Sequence, residues 1–516
     1  MKTAGEMLRW RTRQNPDQLA IRHGTRETTY RELDRRSNLV ANALLRAGLQ
    51  PHQRVAVLDQ GHDQFFEVLF GIAKAGGVFT PVNWRLAPPE IAFVINDSEA
   101  PVLFVGDVFA QSVAAIQGDL TTVRHIVRWG DALDPAWTGY DEFLAGAPDV
   151  DPQRDTPPTD TAWQLYTSGT TGHPKGAEIT HLNLYETASL GAQGFGGIQA
   201  GDVGLVCMPL YHIGGSGWAL CLVLAGATMV VTREANPGEI LELIDRYDIN
   251  HAFMVPALMN FLLQHPRCKD TDFSSLKAIV YGASPIPEEL LKACIATFRC
   301  QLIQAYGLTE TTGAVVLLPA RDHTPGSPRL RACGLPIFGC DVRVVDEKGN
   351  TCGPHQVGEI LIRGASVMKG YWRRSEATAQ AIRDGWFYTG DAGYVDVDGY
   401  LYIHDRVKDM IVSGGENVYP AEVESVLFAH PGVADAAVIG VPDDRWGEAV
   451  KAVVVRAAGS AVTAEDLVAH CQGKLAGYKR PRSVDFVDAL PRNPTGKILK
   501  RELRAKYWEG RTRQVN

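Results

Sequence analysis

Short apolar runs, many of them β-branched, recur through the first 400 positions, and segments with helical spacing separate them. RVAVLD (54–59), GVFTPVN (77–83), PVLFVG (101–106), HIVRWG (125–130), ATMVVT (227–232) and AIVYGAS (278–284) read as strands, and Asp63 to Ala75 as a helix. Continuous apolar strands joined through helices predict parallel sheets covered on both faces. The stretch from Asp149 to Asp160, rich in aspartate and proline, reads as a surface connection into the next strand. After Arg331 the texture changes. VRVVDEKGN, GEILIRG and GYVDVDGYLYIHD alternate as hairpin strands do, with turns at Lys348-Gly349-Asn350 and Asp398-Gly399. Asp396 and Asp398 fall short of a calcium loop, because its spaced ligands and closing glutamate are missing. Beyond Asp405 a compact α+β unit follows, with a helix after Pro420, strands at ADAAVIGV and AVKAVVV, and a helix from Thr463. The reading is an α/β protein with a large N-terminal domain over 1–404, a boundary at DRVKD (405–409), and a small domain over 410–516.

One segment has the length of a membrane span: Val203 to Thr232 contains no Asp, Glu, Lys or Arg. Pro209, His212 and the glycines at 214, 215 and 217 interrupt it, so a buried strand–loop–helix is the better reading. At 516 residues the chain exceeds one ordinary core. Its hydrophobic content of 45% and charged content of 21% are globular, and a net charge of -8 argues against a general nucleic-acid binder. The nine cysteines contain no CxxC pair and read as buried free thiols of a reducing compartment. MKTAGEMLRWRTRQ begins an amphipathic helix without the apolar core of a signal peptide, which points to the cytoplasm.

The chemistry concentrates in YTSGTTGHPKG, Tyr166 to Gly176. Glycines let backbone N–H groups approach an anion, Ser168, Thr170 and Thr171 add hydroxyl donors, and Lys175 adds a mobile positive charge. A Walker loop needs Gly-Lys-Ser/Thr where this chain has Pro174-Lys175-Gly176. The string closely resembles the phosphate loop of the adenylate-forming superfamily, which includes acyl-CoA synthetases, luciferases and peptide-synthetase adenylation domains. Three further motifs resemble that family: YGLTETTG (306–313), WFYTGDAGY (386–394) and PRNPTGKILK (491–500). Alone, YGxTE is equally a helix-capping stretch, TGD a common turn, and a lysine near a C-terminus a solvated one.

By this resemblance the large domain binds ATP and the acid and carries a distorted β-barrel beside its sheets, and the small domain is a mobile lid. The resemblance assigns the nucleotide to Thr167, Ser168, Gly169, Thr170, Thr171, Gly172, Lys175, Gly282, Ala283, Ser284, Tyr306, Gly307, Thr309, Asp391, Arg406 and Lys497. Among these Tyr306 stacks on adenine, Asp391 takes the ribose hydroxyls, Glu310 with Thr170 holds Mg²⁺, and Lys497 reaches the carboxylate and α-phosphate. Lys497, Glu310, His212 and Thr170 make up the catalytic set. Where the family usually has glycine before the arginine this chain has Asp405, and Lys408 falls on the hinge; a plain charged linker is the alternative for Lys408.

Gly414 and Gly415 in SGGEN, Trp446 in DDRWGE, and Tyr478, Arg480 and Arg482 in YKRPR match the coenzyme A contacts of related ligases. The alternative for Trp446 is core packing. YHIGGSGW (211–218) lacks the aspartate that peptide-synthetase domains use for an amino group, so a simple carboxylate with an apolar tail is expected. Its pocket falls on Tyr185, His212, Ile213, Gly214, Ala283 and Gly307, with bulk removed at Gly214, Gly215 and Gly217. His212 gates that pocket or simply packs in it. The resemblance is closest to fatty-acyl-CoA and aryl-CoA ligases. It implies ATP, Mg²⁺ and coenzyme A, with a medium- or long-chain fatty acid first, an aryl or cinnamic acid second, and carrier-protein loading third. A homodimer is compatible with it, as is peripheral membrane contact for a long-chain acid. A regulatory pseudoenzyme is disfavoured because Lys175, Glu310, Asp391 and Lys497 are all present.

Overall fold

The helix Asp63–Ala75 shows how the pattern becomes structure. Apart from Gln64 it is buried along its whole length, and the charges on its one polar face are paired within the fold, Glu67 with Arg36 and Lys74 with Asp34, as buried charges must be. Gly76 closes it in the left-handed conformation. It packs in the core between the helix Tyr30–Arg46 and the first sheet. The computed structural model describes residues 2–130, 136–167, 174–406, 409–413, 416–492 and 498–509.

Two sheets form the large domain. In the eight-stranded one, Arg54–Leu58, Val78–Pro81, Val102–Val105, His125–Arg128 and Thr161–Thr167 run parallel. In the nine-stranded one, Val203–Val206, Thr228–Val231, His251–Met254, Ala278–Gly282 and Gln301–Leu308 run parallel, and Gly313–Leu318 returns antiparallel. The uncharged stretch is thus two buried strands around the helix Ile213–Ala225, and among the described residues no helix is long and apolar enough to cross a membrane.

The C-terminal ends of the two parallel sets meet. Trp84 packs edge-on against Tyr211 with ring centroids 6.1 Å apart, and Gly61 lies directly on the backbone of Thr232. Ligands of open α/β sheets bind at such strand ends. The expected barrel is a five-stranded antiparallel sheet holding Cys340–Val345, Gly358–Gly364, Trp386–Val395 and Leu401–Arg406. It shares a core with Gly313–Leu318 through Val315, Val316, Ile360 and Leu401. Asp396 spends its carboxylate on the turn, accepting from the backbone N–H of Asp398 and Tyr400 at 3.0 and 2.9 Å.

The small unit is a further five-stranded sheet with the helices Pro420–Phe428 and Ala464–His470 over a core of its own. Of the expected boundary, Asp405 and Arg406 are still paired to Ala392 and Asp391, and Val407 and Lys408 lie outside the described residues. Across the junction the rings of His404 and Tyr419 stack at 4.5 Å.

Arg54 fixes the hairpin that carries the glycine-rich segment. Its guanidinium donates to Gln164 Oε1 and Glu178 Oε1, both at 2.7 Å, and lies 3.4 Å from the centre of the Trp372 ring. Removing the charge leaves Glu178 half-buried with only the Thr161 hydroxyl as a side-chain partner at 3.0 Å. Breaking a buried ion pair costs about 3–5 kcal/mol. Arg54→Met is therefore expected to lower the thermal unfolding midpoint by several degrees in calorimetry, and an unchanged midpoint would show that the hairpin is held elsewhere.

Candidate active site

Lys175 opens the return strand Lys175–Thr180, and its register partner Thr167 ends the outgoing strand Thr161–Thr167. Both therefore stand at the C-terminal end of the eight-stranded sheet. Ser168, Gly169, Thr170, Thr171 and Gly172, between them in sequence, lie outside the described residues. The second sheet supplies the facing groups. Gln301–Leu308 ends in Tyr306, Gly307 and Leu308, and the single turn Thr309–Thr311 follows. Thr311 ties that turn, with its hydroxyl accepting from the Leu308 N–H and lying 2.8 Å from the Gly313 carbonyl it donates to. Glu310 is thereby presented at the strand ends, and its backbone carbonyl accepts from the Met368 N–H at 2.8 Å.

Two contacts draw the predicted residues together. Tyr306 donates its hydroxyl to Asp391 Oδ2 at 2.8 Å, and Asp391 is only 6% exposed. Arg406 is the register partner of Asp391, so the TGD strand and the arginine strand present these two positions side by side. Tyr371, which the motif reading passed over, donates to Glu310 Oε1 at 2.8 Å while the Lys175 ammonium sits 5.1 Å from its ring centre. Gly282 ends the strand beside Ala305, and Ala283 next to it holds φ +67°, a strained conformation for a residue with a β-carbon. Ala283 is exposed and Ser284 half-buried.

Of the residues expected to form the acyl pocket, Ile213 and Gly214 open the helix Ile213–Ala225, and His212 is its cap residue. Ile213 and Thr187 both face Gly313. Thr187 stands two residues after Tyr185 on the helix His181–Gly194, and no spacing in the sequence marked it. The glycines do not simply open space. A β-carbon on Gly215 would lie 2.2 Å from the Pro209 carbonyl oxygen, and one on Gly214 would lie 2.9 Å from the Phe253 ring. Gly215 admits a close backbone approach, and Phe253 already fills the room beside Gly214. Phe253, distant in sequence, gave no signal of this role. His212 is half-buried as a residue, yet its Nε2 is sealed from solvent without a partner, as is the Tyr211 hydroxyl beside it. Burial, with repulsion from Arg85 second, lowers the His212 pKa to about 3, so the imidazole is neutral at neutral pH.

On the small unit, Asp443 Oδ1 accepts from the N–H groups of Arg445 and Trp446, both at 2.9 Å, and this turn projects the indole. The Arg445 and Arg482 guanidiniums lie 4.8 and 4.9 Å from its ring centre. Gly447 pairs with Ser413, which brings the strand pair Ile411–Ser413 and Glu416–Val418 to the same edge; Gly414 and Gly415 lie outside the described residues. Tyr478 is partly exposed, Arg482 exposed and Arg480 half-buried. Lys408 and Lys497 lie outside the described residues as well.

Comparison with known proteins gives this geometry its class. Residues 8–372 match the family model described as AMP-binding enzyme, and residues 422–497 match that of the AMP-binding enzyme C-terminal domain. The chain is 41% identical to ScoC of Streptomyces coeruleorubidus, a fatty acid–acyl-carrier-protein ligase, over 100% of this chain and 98% of that protein. It is 40% identical to a feruloyl-CoA synthase of an Amycolatopsis species, over 96% and 97% of the two chains. The crystal structure of the anthranilate CoA ligase AuaEII in complex with anthranoyl-AMP superposes with a TM-score of 0.93, at 29% identity over 98% of this chain and 97% of that one. The chain therefore belongs to the AMP-binding enzyme family and is an acid–thiol ligase.

The low pKa of His212 carries a stability consequence. Below its unfolded value of 6.5 the unfolded chain takes up a proton that the folded chain refuses until about pH 3. Stability is therefore lost as pH falls through that window. Between pH 7 and pH 5 the thermal midpoint of the wild type is expected to fall further than that of His212→Phe; parallel curves would show that the imidazole protonates in the fold.

Proposed function

We propose that this enzyme joins a carboxylic acid to the α-phosphate of ATP, expelling pyrophosphate, and then passes the acyl group from AMP to the thiol of coenzyme A. A medium- or long-chain fatty acid is the preferred acid, with aryl and cinnamic acids next. The observation that carries the reading is the meeting of Lys175, Tyr371 and Glu310 at the strand ends of two sheets. A cation and a carboxylate held close together suit a metal-bound polyphosphate. In this reading Lys175 and the loop from Thr167 to Gly172 bind the phosphates, with Thr309 beside them. Tyr306, Gly307 and the segment Gly282–Ser284 line the adenine, Asp391 holds the ribose, and Arg406 is a second contact to the ribose or a phosphate.

Glu310 fits Mg²⁺. Among the described residues no group of three or more His, Cys, Asp and Glu side chains could hold a metal without help, and Mg²⁺ characteristically takes one or two carboxylates and shares the nucleotide's phosphates and water. With Thr170 as a second ligand, the ion when bound neutralises charge on the triphosphate. Lys497 then stabilises the α-phosphate as the carboxylate oxygen attacks it and the bond to the leaving pyrophosphate breaks. Domain 410–516 turns about Lys408 between the two steps, exchanging Lys497 for Gly414 and Gly415 so that the thiol sulfur can attack the acyl carbon and release AMP.

Trp446 supports coenzyme A as the acceptor, because a half-buried indole flanked by Arg445 and Arg482 is suited to an adenine base and its phosphates. Transfer to a carrier protein is the second reading, favoured by the likeness to the carrier-protein ligase. Pyrophosphate release should be screened with fatty, cinnamic and benzoic acids, with coenzyme A or a phosphopantetheinylated carrier. Thioester on the carrier alone would replace the first acceptor by the second, and no release with any acid would sink acid activation.

Two variants divide the reaction. Lys497→Ala is expected to slow acyl-AMP formation about 10²–10³-fold, the usual size for a lost transition-state donor, and to leave thioester formation from supplied acyl-AMP nearly intact; equal loss in both halves would reject that division. Trp446→Ala is expected to weaken coenzyme A binding by roughly 1–3 kcal/mol, the scale of base–aromatic stacking, without touching ATP–pyrophosphate exchange. If exchange is lost too, the tryptophan is holding the small unit together.

A further inference from the structure

The side chain that joins Lys175 to Glu310 belongs to no motif that pointed to the nucleotide. Gly370–Tyr371 is a two-residue strand that pairs antiparallel with Lys175–Thr180, Tyr371 opposite Ala177 and Gly370 opposite Glu178. Side chains alternate faces along a strand, so Lys175 and Ala177 share a face. Tyr371 across from Ala177 shares it too, and Lys175 becomes its diagonal neighbour, within reach of long side chains. The ring position follows from that register. It is held further by the Tyr371 N–H donating to the Thr378 hydroxyl at 2.9 Å and by the Trp372 N–H donating to the Gly176 carbonyl at 2.8 Å. Gly370 sits at φ +152°, and a β-carbon there would lie 2.8 Å from the Thr378 methyl, so the close packing of this segment against the helix Ser375–Ala381 depends on glycine.

A lysine and a glutamate brought to one site attract each other, and a direct pair would occupy the groups that a metal-bound triphosphate needs. Lys175 and Glu310 form no ion pair with each other among the described contacts. The phenol stands between them instead. Its hydroxyl donates to the carboxylate at 2.8 Å, and its ring face takes the ammonium at 5.1 Å, an arrangement in which the negative face of the ring attracts the cation. A carboxylate keeps several acceptor positions after one such bond, so Glu310 can still ligate a metal.

We infer that Tyr371 is a positioning residue for the metal–triphosphate: its hydroxyl orients the Glu310 carboxylate, and its ring holds Lys175 away from that carboxylate until a nucleotide arrives. The inference rests on the proposed nucleotide site and deepens it. Its two halves separate by substitution, because Tyr371→Phe keeps the ring and loses the hydroxyl, whereas Tyr371→Leu loses both.

The test is equilibrium binding to the full chain of α,β-methylene-ATP, whose bond between the α- and β-phosphates cannot be cleaved, with and without Mn²⁺. Mn²⁺ is followed by electron paramagnetic resonance, and thermal midpoints are recorded for each protein. Tyr371→Phe is expected to weaken Mn²⁺ in the ternary complex about tenfold, the size of one hydrogen bond to a charged group, with metal-free nucleotide affinity and the midpoint unchanged. Tyr371→Leu is expected to weaken metal-free nucleotide binding as well, because Lys175 is released to pair with Glu310. Wild-type Mn²⁺ binding in Tyr371→Phe would overturn the inference. So would a proportional loss with and without metal accompanied by a lower midpoint, the mark of a merely structural residue. If Tyr371→Leu does not fold, Tyr371→Phe decides alone. Weakened Mn²⁺ binding in Tyr371→Phe, in a protein whose wild type releases no pyrophosphate with any acid, would leave the inference standing and remove acid activation.

Discussion

Opposite charges that must both remain available for a ligand cannot be allowed to find each other. A triphosphate site needs cations for the phosphates and a carboxylate for the metal, and in a half-desolvated cleft their mutual attraction is strong. In the proposed site aromatic rings stand beside these charged groups. Lys175 lies against Tyr371, whose hydroxyl holds Glu310; Tyr306 holds Asp391; Arg445 and Arg482 lie against Trp446. Even the structural Arg54 is packed on Trp372 while it bonds Gln164 and Glu178. A ring face gives a cation a moderate attraction, weaker than a full ion pair at close range, and so a resting place from which a phosphate can take it.

The architecture serves that arrangement. Parallel strands of two sheets end at a common junction, and each sheet contributes groups of one kind. The hairpin end supplies Lys175, whereas the turn after Gln301–Leu308 supplies Glu310. A third segment, the short Gly370–Tyr371 strand, is hydrogen-bonded to the first sheet and reaches the second through its hydroxyl. The distance between the charges is thus set by backbone pairing, which is stiff.

The sheets were legible because buried parallel strands read as unbroken apolar runs: RVAVLD, PVLFVG and AIVYGAS each contain a strand of the structure, and Asp63–Ala75 is the helix its spacing predicts. The candidate nucleotide residues came from motif resemblance, which names residue types at fixed local spacing. What the sequence withheld was contact between distant segments. Tyr371 meets Lys175 through a strand register, Phe253 fills the space beside Gly214, and Thr187 faces Gly313 from another helix. The glycines at 214 and 215 read as removed bulk, and the sequence alone made empty space the natural reading, without revealing what approaches them.

The two-residue strand Gly370–Tyr371 acts as a ruler whose unit is one residue. In a pleated pair a slip by one position turns every side chain to the opposite face, and a strand with only two residue pairs has little with which to average the error. The segment from Gly364 to Thr378 should therefore accept many exchanges of side chain but no change in length, whereas the turn Asp346–Asn350, on the outside of its hairpin, carries no such count. Away from Gly370, Tyr371, Trp372 and Thr378, side chains along 364–378 can be exchanged while the number of residues is held, around a tyrosine that lies outside the four motifs yet touches two of them.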